Sequence, residues 1–125
     1  MKTILNTEKA PGAIGPYSQG ISTGSLIFVS GQLPLDPATG TFPEDIAGQT
    51  RQSLTNVKNI LESAGSGMDK VVKTTVFLSD IANFGAMNEV YGTFFQEGGY
   101  PARSAVEVAK LPKDALVEIE VVAMV

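Results

Sequence analysis

Arginine and carboxylate side chains near the C-terminus are the residues whose types and spacing best suit chemistry. Positions two apart on a strand share a face, so Arg103 points with Glu107, and Glu118 points with Glu120 on a following strand. Arginine binds a carboxylate through two parallel hydrogen bonds, and glutamate accepts protons. Spacing leaves open which of Glu118 and Glu120 lies nearer Arg103, and a solvated ion pair across a hairpin is the simpler interpretation.

Three other positions suit ligand binding. Tyr17 and the pair Ser30-Gly31 combine a polar tip with glycine, which lets backbone groups approach a ligand, although such residues are also ordinary turn formers. Asn88 is offset from the apolar stripe of its predicted helix, where a solvated or capping amide is the simpler interpretation. These side chains remain candidates only.

Composition removes several classes of mechanism. The chain has no His and no Cys, so it lacks the usual neutral-pH base, thiol nucleophiles, disulfides and the common zinc ligands, and we expect no metal site. Its net charge of −4 disfavours nucleic-acid binding. Neither glycine-rich phosphate-binding pattern is present, and no apolar run has the length of a signal peptide or a membrane span. We therefore expect a cytoplasmic protein with no membrane association.

The elements that must position these residues fit one domain of 125 residues, 1–125. The pattern predicts a short strand at 3–5, a hairpin with arms 17–22 and 26–31, a helix over 45–64, a strand over 70–79 with Val72 on the face of Val76, and a second helix from Asp80 to Gly98. Segments 102–109 and 115–125 predict a terminal antiparallel hairpin.

The resulting order, β-β-β-α-β-α-β-β, predicts an α+β fold with one mixed sheet and two helices on one face. The other face is then uncovered. Because Ile119, Val121 and Ala123 alternate along the last strand, we expect this face to be apolar and buried by another subunit of a homo-oligomer.

Long motifs in a fixed order also carry a family resemblance. The chain resembles the RidA/YjgF family of reactive intermediate deaminases over its whole length, through the segments Ile14-Gly15-Pro16-Tyr17-Ser18-Gln19-Gly20, Ser30-Gly31-Gln32, Pro101-Ala102-Arg103-Ser104 and Leu111-Pro112-Lys113-Asp114-Ala115-Leu116-Val117-Glu118-Ile119-Glu120. The arginine that separates the deaminase subgroup from other members corresponds to Arg103. Family members often have Cys at the position of Ala105, which puts thiol chemistry there in doubt.

The resemblance implies a chorismate-mutase-like fold, a homotrimer, and clefts between neighbouring subunits. It also implies cofactor-free hydrolysis of 2-imino acids, such as 2-iminobutanoate and 2-iminopropanoate, to 2-keto acids and ammonia. Arg103 would bind the substrate carboxylate, and Glu118, with an ordinary glutamate pKa of about 4.3, would be the base. The implied substrate-binding residues are Tyr17, Ser30, Gly31, Asn88 and Ala105.

Two other functions compete with this one. A trimeric protein that binds keto acids as a regulator would use Arg103 for binding alone. Ribonuclease or translation-inhibitor activity has been attached to parts of the family, but the net charge and the lack of His argue against it.

Overall fold

A computed structural model describes residues 1–125 as one six-stranded sheet, in the strand order β1-β2-β3-β6-β4-β5, with two helices. The α+β class, the mixed sheet and the predicted element order are confirmed. The elements are β1 (Thr3–Leu5), β2 (Gly20–Ser22), β3 (Leu26–Gln32), α1 (Ile46–Ser63), β4 (Val71–Leu78), α2 (Phe84–Gly92), β5 (Ala102–Glu107) and β6 (Val117–Met124).

Helix α1 has the predicted ends. The Asp45 side chain accepts a hydrogen bond from the Gly48 backbone N–H at 2.8 Å, which satisfies one free donor of the first turn. Gly65, with φ of +78°, follows the C-terminus in the left-handed conformation that glycine adopts without strain. The apolar stripe of α1 is fully buried against the sheet, at Leu54, Val57, Ile60 and Leu61.

Helix α2 is shorter than the spacing predicts. Asp80 caps a single 3₁₀ turn, Ile81–Asn83, by accepting from the Ala82 backbone N–H at 2.9 Å, and α2 begins only at Phe84. It ends at Gly92, so Phe94 and Phe95 follow the helix and pack against the core from the next segment. The helical spacing of aromatic residues continues beyond α2 because Phe94 and Phe95 pack against the same core as the helix.

The predicted terminal hairpin is wrong. β5 pairs in parallel with β4 at the sheet edge, whereas β6 lies between β3 and β4 and is antiparallel to both. Burial explains the difference, because four alternate side chains of β6 are buried, as suits a central strand, whereas none of β5 is fully buried. The connecting segment crosses β4 through a tight turn in which Lys113 and Asp114 both have positive φ, 56° and 57°.

The sequence analysis assigned the wrong residues to the sheet face that the helices leave uncovered. Ile119, Val121 and Ala123 face the helices and are buried in the core. The face without helices instead carries other apolar residues, including exposed Phe28 of β3, Val106 of β5 and Met124 of β6. Val71 joins the core face and Val72 is exposed, the reverse of the prediction, because the register shifts between Val71 and Lys73.

Candidate functional site

Two separate clefts hold all of the predicted site residues except Ala105. One, of about 510 Å³, lies beside α2 and the start of β5, and its lining residues are Asn88, Tyr91, Gly92, Tyr100, Pro101 and Arg103. The other, of about 680 Å³, lies at the end of β3 and the start of β6, and its lining includes Tyr17, Ser30, Gly31, Glu118 and Glu120.

In the first cleft, the guanidinium of Arg103 packs against one face of α2. The parallel register pairs Arg103 with Thr74, which directs both side chains to the helical face of the sheet. Arg103 Nη1 donates to Asn88 Oδ1 at 2.6 Å, and its Cζ lies 4.7 Å from the ring centroid of Tyr91 and 5.3 Å from that of Phe84. The structure therefore brings Asn88 to Arg103.

Tyr91 is itself held in place from the sheet. Its hydroxyl and Thr74 Oγ1 are 2.7 Å apart in a buried hydrogen bond. Burial raises the pKa of Tyr91, while the hydrogen bond to Thr74 and the positive charge of Arg103 act in the opposite direction. Tyr91 is therefore a neutral phenol at neutral pH, and its ring can attract the Arg103 cation.

In the second cleft, a β-bulge places Gly31 against Glu118. The β3–β6 register shifts between Val29 and Gln32, so β3 contains one extra residue at this point. A Cβ added at Gly31 would lie 2.8 Å from Glu118 Oε2, so any larger residue at this position would displace the carboxylate. The neighbouring Ser30 hydroxyl donates to the Ser18 carbonyl at 2.6 Å.

The environment of Glu118 changes its acidity. Burial raises the pKa of Glu118, and the negative charge of Glu120 on the same strand raises it further. The prediction of an ordinary pKa is therefore wrong. A carboxyl group with a raised pKa is a better proton acceptor and donor near neutral pH.

Buried Gln19 fixes the wall of this cleft that carries Tyr17. Its side-chain oxygen accepts from the Thr7 backbone N–H at 2.7 Å, and Nε2 donates to the carbonyls of Thr7 and Pro11 at 3.0 and 2.9 Å. The side chain is 1% exposed, so these bonds satisfy an amide that has little access to water. Tyr17, by contrast, is 53% exposed at the edge of the cleft.

Sequence reasoning missed a polar stripe on α1 that supports the same cleft. Ser53 donates to the Gln32 carbonyl at 2.7 Å, and Asn56 donates to the carbonyls of Leu33 and Leu35 at 3.1 and 2.9 Å. Gln49 accepts from the Leu116 backbone N–H at 2.8 Å, just before β6. Uncharged polar residues spaced by four and three beside the apolar stripe were the signal available for finding it.

The two clefts lie on opposite faces of the sheet, so the prediction that Arg103 meets Glu118 or Glu120 within a hairpin is wrong. Arg103 pairs with Thr74 and Glu118 with Phe77, and positions 74 and 77 of one strand point to opposite faces. Ala105 lies on the face of Arg103 and packs against the core. Within one chain, the cleft of Arg103 and the cleft of Glu118 are therefore separated by the sheet.

Neither a membrane span nor a metal cluster is found among the described residues. Neither helix is both long enough and apolar enough to cross a bilayer. No group of three acidic side chains is placed so that it could hold a metal ion.

Comparison with known proteins gives full-length matches. The family model described as Endoribonuclease L-PSP matches residues 7–125. A RutC family protein of Haemophilus influenzae is 54% identical over 127 residues, and the match covers 99% of this chain and 98% of that protein. A 2-iminobutanoate/2-iminopropanoate deaminase of Salmonella typhimurium is 52% identical over 126 residues, with the same two coverages. The crystal structure of Escherichia coli TdcF with bound serine superposes with a TM-score of 0.94 at 48% identity, covering 98% of both chains.

Proposed function

Because this chain belongs to the RidA/YjgF family, which the endoribonuclease L-PSP model describes, we propose that it hydrolyses 2-imino acids and their 2-enamino tautomers to 2-keto acids and ammonia. 2-Iminobutanoate and 2-iminopropanoate, which the Salmonella relative's name specifies, are the proposed substrates. The proposal treats residues 1–125 as one catalytic domain that acts in the cytoplasm without a cofactor.

The observation that carries the proposal is the separation of two complementary half-sites. Arg103 supplies a cation suited to a carboxylate, and Glu118 supplies a partly desolvated carboxyl suited to proton transfer. A 2-imino acid needs both, since it has a carboxylate next to an electrophilic carbon. The two groups lie on opposite sheet faces of one chain, so a neighbouring chain must complete the site.

We propose a homotrimer with a chorismate-mutase-like subunit, in which each cleft combines Arg103 of one subunit with Glu118 of the next. The exposed apolar side chains on the helix-free face support such an assembly, because a monomer would leave them in water. Glu118 lies on this same face, so the subunit that covers it also approaches the acidic cleft.

In the proposed mechanism, Arg103 binds the substrate carboxylate by two parallel hydrogen bonds and fixes its plane. Water attacks the imine carbon while Glu118 accepts a proton from that water and passes it to the imine nitrogen, which gives a tetrahedral carbinolamine. Glu118 then takes the hydroxyl proton of the carbinolamine and delivers it to the same nitrogen as the C–N bond breaks, so ammonia leaves, the carbonyl of the keto acid forms, and Glu118 is again a carboxylate. Positioning of water and substrate contributes up to about 7–11 kcal/mol, and a placed base about 10²–10⁴-fold in rate.

The remaining residues bind rather than react. Ser30 and backbone groups at Gly31 and Ala105 would contact the imine nitrogen or the carboxylate, and Tyr17 would close the cleft. Asn88 holds one edge of the Arg103 guanidinium. Small-molecule binding without turnover is the second candidate function, favoured by the structure of the relative TdcF with bound serine.

A trapping assay tests the activity. Threonine dehydratase generates 2-iminobutanoate, semicarbazide traps it, and the protein should lower semicarbazone formation, whereas Arg103→Ala and Glu118→Gln should not. A protein that only binds would retain affinity for 2-ketobutyrate and leave the rate of trapping unchanged.

Mixing two inactive variants tests whether subunits share the cleft. Random assembly of Arg103→Ala with Glu118→Gln chains should restore about a quarter of wild-type activity, because about one interface in four then pairs the two intact half-sites. Mixtures that stay inactive, although the chains exchange, would contradict the shared cleft.

A further inference from the structure

The guanidinium of Arg103 is held by three side chains of one helix face. Phe84, Asn88 and Tyr91 stand four and three residues apart on α2, which places them together along one face of the helix. Two of them present aromatic rings within 5.3 Å of Arg103 Cζ, and the third accepts one hydrogen bond. Only Nη1 is hydrogen bonded within the chain, which leaves the other N–H groups for a ligand.

Tyr91 is the fixed member of this group. Thr74, the direct β4 neighbour of Arg103, forms the buried 2.7 Å hydrogen bond to its hydroxyl. Phe95 packs against Tyr91, with the centroids of these two rings 4.9 Å apart and their planes inclined by 45°. The strand that carries Arg103 is thus coupled, through Thr74, to the ring on which the guanidinium rests.

We propose that Tyr91 is a positioning residue, whose ring, with that of Phe84, sets the plane and location of the Arg103 guanidinium so that its free N–H groups meet a carboxylate as a parallel pair. This inference rests on the proposed function, in which Arg103 binds the carboxylate of a 2-imino acid. Binding by two parallel hydrogen bonds depends on the orientation of the guanidinium plane, which a flexible four-bond side chain does not hold by itself.

The chain offers a clean spectroscopic test, because Arg51 and Arg103 are its only arginines. The ¹⁵N–¹H spectrum of the arginine Nε groups therefore holds two signals, which Arg51→Lys assigns. The Arg103 signal should be displaced by the aromatic ring currents in the wild type. Tyr91→Leu should return it toward the Arg51 position, whereas Tyr91→Phe, which keeps the ring, should preserve the displacement.

Ligand binding gives the functional readout. Tyr91→Leu should weaken 2-ketobutyrate binding and raise the KM for 2-iminobutanoate by about 3- to 10-fold, with a smaller change in kcat. Tyr91→Phe should remain within about 2-fold of the wild type. Phe94→Leu is the matched control, because it removes a core-packed aromatic ring of the neighbouring segment that pairs with neither the guanidinium nor Tyr91, and it should leave both readouts unchanged.

The outcomes separate this inference from the proposed function. An active wild type whose affinity and Arg103 signal are unchanged in Tyr91→Leu would overturn the positioning role. A wild type that neither binds 2-ketobutyrate nor lowers semicarbazone formation would overturn the proposed function, while the Arg103 signal still reports on the ring. If Tyr91→Leu does not fold, Phe84→Leu takes its place, and a shift and affinity equal to those of the wild type would then overturn the inference.

Discussion

Gly31→Ala is the substitution that most directly tests the acidic cleft, because it changes the space around Glu118 and leaves its chemistry intact. The new Cβ would lie 2.8 Å from Oε2, 3.0 Å from Cδ and 3.2 Å from Cγ of Glu118. The Gly31 backbone has no positive φ, so alanine fits its conformation without strain. Relief therefore comes from the Glu118 side chain, which must move by about 0.6 Å to regain an ordinary contact near 3.4 Å.

That displacement is enough to disturb catalysis. Productive geometry tolerates deviations of about 0.5 Å, and a misplacement of about 1 Å can cost about 10²-fold. We therefore expect Gly31→Ala to lower kcat by about 10- to 100-fold, below the full contribution of a positioned base. Stability should change by less than about 1 kcal/mol, because the clash involves a movable side chain at a partly exposed site.

The assay is the suppression of semicarbazone formation, combined with a crystal structure of the variant. Gly85→Ala is the matched control, since its new Cβ meets nothing within 4 Å and Gly85 is an exposed residue of α2 that lines neither cleft. In a Glu118→Gln background, Gly31→Ala should add little further loss. Activity of Gly31→Ala within 3-fold of wild type, or a displaced carboxylate without loss of rate, would refute the reasoning.

Three other substitutions test the acidity, the cation and the scaffold. Glu120→Gln should lower the pKa of Glu118, and because the base form is lost as pH falls through that pKa, the acid limb of the pH–rate profile should move to lower pH; an unmoved limb would contradict this. Arg103→Lys should lower kcat/KM by at least about 10-fold, since lysine offers no planar pair of donors, and 2-ketobutyrate titration should show the lost affinity. Gln19→Ala should lower the free energy of unfolding by roughly 1–3 kcal/mol in urea titrations, because it leaves partly buried backbone groups of Thr7 and Pro11 unpaired, and a loss below about 1 kcal/mol would argue against its structural role.

Local patterns predict the elements of this fold well, and the pairing of strands poorly. The helix over 45–64 was predictable because capping, apolar spacing and a terminating glycine agree. The terminal hairpin was not, because strand propensity and a short polar turn are also compatible with a crossover. The decisive property was the burial of alternate residues along β6, which depends on what lies on either side of it.

The residues of the candidate site were predictable from the sequence, but their relative positions were not. Family motifs drew attention to Arg103 and Glu118, and the structure adds the features that define their surroundings. The extra β3 residue beside Glu118 and the aromatic contacts of Arg103 arise from long-range pairing, which no local spacing encodes. The sequence therefore predicted that Arg103 and Glu118 meet within one chain. In the structure, the sheet separates them.

The separation of Arg103 and Glu118 follows from the alternation of side chains between the two faces of the sheet, and a change of side-chain rotamer cannot remove it. Their partners on β4, Thr74 and Phe77, are three residues apart, and an odd spacing puts side chains on opposite faces. Slipping β6 by one residue would bring the groups to one face, but it would also turn the buried side chains of β6, such as Ile119, out of the core. No small motion of one chain can therefore unite the two groups, and a catalytic site that uses both requires a second copy, which is why the two inactive variants should restore activity to each other.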